Sequence, residues 1–174
     1  MQLQVKKLSV HATIPTKAHA TDSGFDLYAA DDIYIKPGET VVIPTDIAIK
    51  LPEGYEAQVR PRSGVTSKTK LRVQLGTIDN AYTGAIGIIV DNISLEYLFL
   101  PPQLRDVHND FVYLVDGFKS RTINRQKQGT YLIRKGDKIA QLVVQPVALP
   151  TLKVVDELDE TDRGESGFGS SGTR

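Results

Sequence analysis

Short apolar runs with a two-residue period, each closed by a proline or glycine turn, dominate this chain. Asp32-Ile-Tyr-Ile-Lys36, Thr40-Val-Val-Ile-Pro44, Asp46-Ile-Ala-Ile-Lys-Leu51 and Ala57-Gln-Val-Arg60 follow one another. Lys36-Pro-Gly-Glu39, Pro44-Thr45 and Leu51-Pro-Glu-Gly-Tyr55 separate them. Successive side chains of a strand point to opposite faces, so this period suits strands with one buried face. Ile86-Gly-Ile-Ile-Val90 and Lys138-Ile-Ala-Gln-Leu-Val-Val-Gln-Pro-Val147 are more continuously apolar, the pattern of strands covered on both faces. Helical periodicity is nearly absent. A short helix could follow Ser63 through Lys68, against the poor propensity of Val65 and Thr66. Many short strands with frequent turns imply an all-β sandwich or barrel of jelly-roll type.

The chain's 174 residues suit one domain with a real core. Its 21 basic and 21 acidic residues argue against charge-driven nucleic-acid binding and leave a local anion site open. With no cysteine, disulfides, thiolate metal sites and cysteine nucleophiles are excluded. The first ten residues alternate polar and apolar and lack a signal-peptide core, and no run approaches the ~18 apolar residues of a membrane span. The expectation is a cytoplasmic protein with no membrane partner.

Two segments break the regularity. Leu95–Thr130 holds Tyr97, Phe99, Phe111, Tyr113 and Phe118, the pair Pro101-Pro102, and a basic stretch from Lys119 to Lys127. A structureless loop of that length is unusual, so a small hydrophobic cluster of its own is expected there. The acidic stretch Asp156–Asp162 should be extended and solvated, because its charges repel. It leads to Arg163-Gly-Glu-Ser-Gly-Phe-Gly-Ser-Ser-Gly-Thr-Arg174, too poor in apolar residues to order itself. One ring, Phe168, and anion donors at Arg163, Ser170 and Ser171 make this tail a candidate lid over a nucleotide. The division is thus a core over residues 1–155, interrupted by 95–130, with linker and lid at 156–174.

Several residue groups could carry chemistry. Asp79, in Gly76-Thr-Ile-Asp-Asn-Ala-Tyr-Thr-Gly84, is either an ordinary turn residue or a carboxylate at a hairpin tip able to deprotonate a water. Tyr82 is either a surface aromatic or a ring against a sugar. Arg60-Pro-Arg-Ser-Gly64 is either a charged loop or an anion cradle built from Arg62, Ser63 and nearby backbone N–H groups. Of Asp22 and Asp26, one could orient water on magnesium. Gln141 is the lone polar side chain in an apolar stretch and should have a hydrogen-bonding partner. His11, His19 and His108 share no zinc-ligand spacing. The tail is not a P-loop, since Ser170 stands where lysine is required.

In this order the segments resemble the five motifs of the homotrimeric dUTP pyrophosphatases, the dUTPases. The motifs read Asp22-Ser-Gly-Phe-Asp-Leu-Tyr28, Pro61-Arg-Ser-Gly64, Gly76–Gly84, Gly136-Asp-Lys-Ile-Ala-Gln-Leu142 and Arg163–Gly172. The likeness covers nearly the whole chain except Leu95–Thr130. It implies a distorted jelly-roll, or β-clip, barrel in a homotrimer whose three sites draw on all three subunits. It also implies magnesium-dependent hydrolysis of dUTP to dUMP and pyrophosphate. In that family's scheme Asp79 would activate the attacking water, and Tyr82 would pack on deoxyribose and reject a 2′-hydroxyl. Backbone groups of the hairpin Gly76, Thr77, Ile78 and Asp79 would read uracil. Arg62, Ser63, Gly64 and Gln141 would contact phosphates, and Asp26 would hold a metal-bound water. From the tail, Phe168 would stack on uracil, with Gly169 beside it, while Arg163 and Ser170 reach phosphate.

Departures are few: Ser166 replaces a usual glycine, and the Val73-Gln74 region lacks an asparagine that some members place near uracil. The long interval from Gly84 to Gly136 is similar to the extra domain of staphylococcal bacteriophage dUTPases. That likeness implies a second role, binding a repressor of mobile pathogenicity islands and relieving repression. Two alternatives stand beside the enzyme: a regulatory binding module with dUTP as switch ligand, and a deaminase of dCTP on the same fold. The latter generally uses glutamate where this chain has Asp79.

Overall fold

The computed structural model describes residues 2–94 and 108–164. In chain order come β1 (Gln4–Lys7), β2 (Gly24–Tyr28), β3 (Ile33–Ile35), β4 (Thr40–Lys50), β5 (Tyr55–Pro61) and the helix α1 (Ser63–Lys68). Then follow β6 (Leu71–Val73), β7 (Gly76–Ile78), β8 (Ala85–Asn92), β9 (His108–Tyr113), β10 (Lys119–Lys127), β11 (Tyr131–Ile133) and β12 (Lys138–Pro146). They form three four-stranded sheets, ordered β1-β4-β8-β6, β10-β9-β11-β3 and β2-β12-β5-β7. Pairing is antiparallel throughout, apart from one parallel contact of Tyr131 with Tyr113. The all-β jelly-roll expectation holds, and the short helix after Arg62 forms.

The core is where the inward faces meet. Ile43, Ile47, Ile49 and Leu51 from the first sheet pack with Leu27, Val59, Ile139 and Leu142 from the third, and with Ile35 and Ile133 from the second. Each is at most 3% exposed, and full burial of such a side chain stabilises by about 1.5–3 kcal/mol.

Two strand expectations need correction. Pro44-Thr45 does not end a strand: β4 runs through it, with a register shift between Pro44 and Ala48 opposite β8. The backbone absorbs the irregularity at Asp46, whose φ is +52°. The Thr45 hydroxyl donates to the Ile86 carbonyl at 2.5 Å, so β8 stays attached across the bulge. Nor is β8 covered on both faces. Ile86, Ile88 and Val90 are buried while Ile89 is 41% exposed, beside Val42 at 63%. Among the described residues no layer lies over that second face.

Within 95–130, the described part is a hairpin, β9–β10, that extends the β3–β11 sheet. Val112 and Leu114 are buried, while Tyr113 and Val115 pack against the main core. The hydrophobic cluster is therefore partly shared with the domain. Tyr97 and Phe99 lie outside the described residues. Asn92 ties the segment's return to the barrel, its buried amide donating to Ile35 and Gly129 carbonyls, both at 2.9 Å. Beyond Val147 the chain carries no strand up to residue 164, and Asp156–Asp162 is exposed as expected. Among the described residues no helix is long and apolar enough to cross a membrane.

Candidate active site

Three strands of the third sheet bring three distant motifs side by side. Gln141 of β12 pairs with Asp26 of β2 on one side and with Arg60 of β5 on the other. Strand β5 runs straight into Arg62 and α1. The result is a cleft of about 370 Å³ lined by Asp22, Asp26, Arg62, Ser63, Gly64 and Gln141, among others. The N–H groups of Ser63 and Gly64, first in α1, have no intrahelical acceptor and can serve an anion. The Gln141 side chain, expected to have a hydrogen-bonding partner, makes no side-chain hydrogen bond among the described residues. It is half-buried on the cleft wall, where a ligand or water can satisfy it.

Asp26 is 8% exposed and held by two cations. Arg62 Nε stands 3.0 Å from Oδ1 and Lys138 Nζ 2.8 Å from Oδ2. Arg62 Nη1 also donates to the Lys138 carbonyl at 3.1 Å. The hydrogen bond and charge of Asp26 raise the Lys138 ammonium above the ordinary lysine value. Asp22 lines the cleft but spends Oδ2 on the His19 N–H at 2.9 Å. Asp26 is thus the carboxylate set into the cleft, and Asp22 shapes its turn.

Lys138 stands in the Gly136–Leu142 motif, and its sequence context alone points to no role for it. By strict alternation, residues three apart face opposite ways, which would separate Lys138 from Gln141. A register shift between Lys138 and Ala140 places Lys138 opposite Tyr28 and Gln141 opposite Asp26. Both pairs then share one face, and Lys138 reaches the carboxylate. The turn residues Arg134-Lys135-Gly136-Asp137 give no hint of a bulge just beyond them.

A second cleft, of about 260 Å³, lies on β7 and the start of β8, lined by Gly76, Thr77, Ile78, Asp79, Tyr82 and Ile89, among others. Here the expected hairpin is absent. β7 pairs with β5 in the third sheet, whereas β8 pairs with β4 and β6 in the first, so residues 79–84 cross between layers. The crossing is held by the Tyr82 N–H on the Asp79 carbonyl at 3.0 Å and by Asn80 on the Leu51 and Pro52 carbonyls. Tyr82 donates its hydroxyl to the Ala85 carbonyl at 2.9 Å and lies across Gly84. A β-carbon at Gly84 would sit 2.6 Å from that hydroxyl, so only glycine lets the ring settle there. Asp79 is exposed at the cleft's edge.

The two clefts have no lining residue in common. Arg163 is exposed at the end of the linker. Phe168, Gly169 and Ser170 lie outside the described residues, so the lid expectation stays a matter of sequence. Among the described residues no group of three or more acidic, histidine or cysteine side chains is placed to hold a metal ion. One buried carboxylate beside an anion cleft does fit magnesium, which is usually carried by substrate phosphates, waters and one or two carboxylates.

Comparison with known proteins agrees with this arrangement. The dUTPase family profile matches residues 10–105 and 121–172, passing over part of the β9–β10 hairpin. The deoxyuridine 5′-triphosphate nucleotidohydrolases of Gloeothece citriformis and Clostridium kluyveri are 38% and 37% identical over 99% of this chain, and over 97% and 99% of their own. The human mitochondrial counterpart is 36% identical, and the match spans 55% of that protein. Among solved structures, the Staphylococcus bacteriophage 80alpha dUTPase with dUpNHpp has a TM-score of 0.87 at 41% identity, covering 98% of each chain. The phage phi11 dUTPase, notable for a species-specific insert, has a TM-score of 0.84 at 37% identity, covering 92% of this chain and all of that one. A phi11 variant of the same fold coordinates a structural Mg(II) ion. With four of the five motifs gathered on one sheet and the likeness running nearly end to end, the chain belongs to the dUTPase family, whose members are homotrimeric and use magnesium, and is a dUTP-hydrolysing enzyme.

Proposed function

We propose that each active site of the trimer is assembled from the phosphate cleft of one chain, the β7 cleft of a second and the tail of a third. The observation that carries this is the separation of the two clefts within a single chain. Ile78 pairs with Ala57, five residues before Arg62, so along the sheet the two are about 16 Å apart at the rise of a strand. A neighbour's cleft can meet the phosphate site where the chain's own cannot. The uncovered Val42–Ile89 face and the exposed Leu149, Leu152, Val154 and Leu158 supply apolar surface for such an assembly.

In this reading the uracil edge meets β7, an edge strand whose outward N–H and C=O groups have no strand beside them. Gly76, Thr77 and Ile78 present those groups. Tyr82, pinned on Gly84, walls off the sugar and leaves no room for a 2′-hydroxyl. Arg62, Ser63, Gly64 and Gln141 take the phosphates, joined by Arg163 and Ser170 once Phe168 and Gly169 close over the base. Asp79 accepts a proton from the attacking water, which is thereby ready to add to phosphorus. Magnesium, when bound, neutralises triphosphate charge, and Asp26 would hold one of its waters. The products are dUMP and pyrophosphate, which limits uracil in DNA and supplies dUMP in the cytoplasm of a bacterial host.

The test is complementation. Asp79→Asn and Arg62→Ala chains, each inactive alone, are unfolded together and reassembled, and pyrophosphate release is measured. Random assembly leaves about one site in four with both intact halves, so activity should return to that order. Mixed trimers as inactive as their parents would overturn the shared site.

A second reading has its own observation. The turn between β9 and β10 abuts α1, the helix that carries Ser63 and Gly64: a β-carbon at Gly117 would lie 3.0 Å from the Lys68 carbonyl. Phe118, 72% exposed, stands beside Lys119 on the same hairpin. The 80alpha enzymes are described as controlling transfer of virulence genes by a G protein-like mechanism. Here the segment 95–130, with the active-site face, would bind a repressor protein. A nucleotide that orders the tail would then shift partner affinity through its unequal binding to open and closed states.

A further inference from the structure

We propose that Lys138 is a positioning residue of the phosphate cleft, which with Arg62 clamps Asp26 and competes with a metal-bound water for its carboxylate. This rests on the reading of Asp26 as holder of such a water. In the clamped state each oxygen already accepts from a cation, Oδ1 from Arg62 and Oδ2 from Lys138, so a metal-bound water shares an oxygen with a cation or displaces one.

The geometry points to Lys138 as the one that moves. Arg62 is anchored twice, on Asp26 and on the Lys138 carbonyl, and its side chain is 31% exposed. Among the described residues the Lys138 ammonium has Asp26 as its single ion-pair partner, and its side chain is 41% exposed. Its stem is flexible, and its charge rests 5.7 Å from the Tyr28 ring centre, a weak contact on leaving or returning. It also has somewhere to go. A neighbouring cleft of about 380 Å³, lined by Lys138, Arg62, Lys68, Arg134, Asp116 and Asp137 among others, shares Arg62 and Gly64 with the phosphate cleft. Asp116 and Asp137 bring carboxylates to it, with Asp137 Oδ2 accepting the Arg134 N–H. Lys138 thus keeps Asp26 oriented and neutralised in the nucleotide-free enzyme, and the metal competes with it.

The competition is read by a binding cycle that does not depend on turnover. Affinity for dUpNHpp is measured calorimetrically with Mn²⁺ and again in chelator, for wild type, Lys138→Met, Lys138→Arg and Asp26→Asn. The quantity of interest is the factor by which the metal tightens binding. Removing the competitor should enlarge that factor in Lys138→Met by about two- to fivefold, the span of a partly exposed ion pair. Lys138→Arg, which can still cap Oδ2, should keep the wild-type factor. A merely structural lysine would weaken both affinities alike and leave the factor unmoved, which would overturn the proposal. Should Lys138→Met melt before assay temperature, Lys138→Gln is read the same way. If Asp26→Asn keeps the wild-type factor, the reading of Asp26 fails and takes this one with it. If Asp26→Asn lowers it while Lys138→Met does not raise it, the Lys138 proposal alone fails.

Discussion

At the residue scale, individual side chains show how local chemistry is set by what surrounds it. Asp137 is a case outside the catalytic set. It closes the turn before β12, accepting the Arg134 N–H at 2.9 Å. Burial raises its carboxyl above the ordinary value of 3.8, against the lowering pull of the Arg134 hydrogen bond and charge. A carboxyl raised in the folded state gives stability that is fully present below the unfolded value and is lost as pH rises through the folded one. Above that window the wild type carries a constant penalty. Asp137→Asn keeps an acceptor for the turn and cannot ionise. Its melting temperature relative to wild type should therefore climb between pH 3.5 and 7. Thermal melts across that range check it, and a flat difference would show that burial does not govern Asp137.

At the element scale, the β9–β10 hairpin is the unit with two possible meanings. As decoration it only lengthens the β3–β11 sheet. As a partner site it links a surface to α1, because the Gly117 turn, at φ +87°, sits where a larger residue would press on Lys68. Replacing residues 95–130 by a short glycine linker separates these. Repressor binding should fall at least tenfold, about 1.4 kcal/mol, while dUTP hydrolysis survives. Surface plasmon resonance against the immobilised repressor reads the first and pyrophosphate release the second. Undiminished repressor binding would remove the hairpin as its principal determinant.

At the scale of the whole molecule, the single chain leaves apolar surface for a neighbouring subunit to cover. Leu152 and Val154 are each 96% exposed on an arm that contacts no core of its own. Were the arm free in solution, Leu152→Asp with Val154→Asp would change stability by under about 0.5 kcal/mol per site. Packed on a neighbouring chain, each should lose about 1.5–3 kcal/mol of burial. We expect the double variant to dissociate or melt earlier by analytical ultracentrifugation and calorimetry, and to lose turnover with its trimer. A variant that stays trimeric and fully stable would place the arm in solvent.

The sequence by itself determined the strand-rich core, because two-residue periodicity and turn chemistry act locally, within a few residues of their cause. It also determined which residues to suspect, since Asp26, Arg62, Ser63, Gly64, Asp79, Tyr82 and Gln141 stand in short motifs readable without a fold. Pairing and register were beyond it. That β4 carries through Pro44-Thr45, that β7 and β8 part into separate sheets, and that Lys138 turns onto the face of Gln141 each depend on which strand lies alongside. A bulge reverses every side chain beyond it, and nothing in the local composition announces one. Only the tertiary structure shows that the cleft of Arg62 and Gln141 and the cleft of Gly76 and Tyr82 stand apart in one chain, because hydrogen bonding between distant strands fixes which motifs become neighbours.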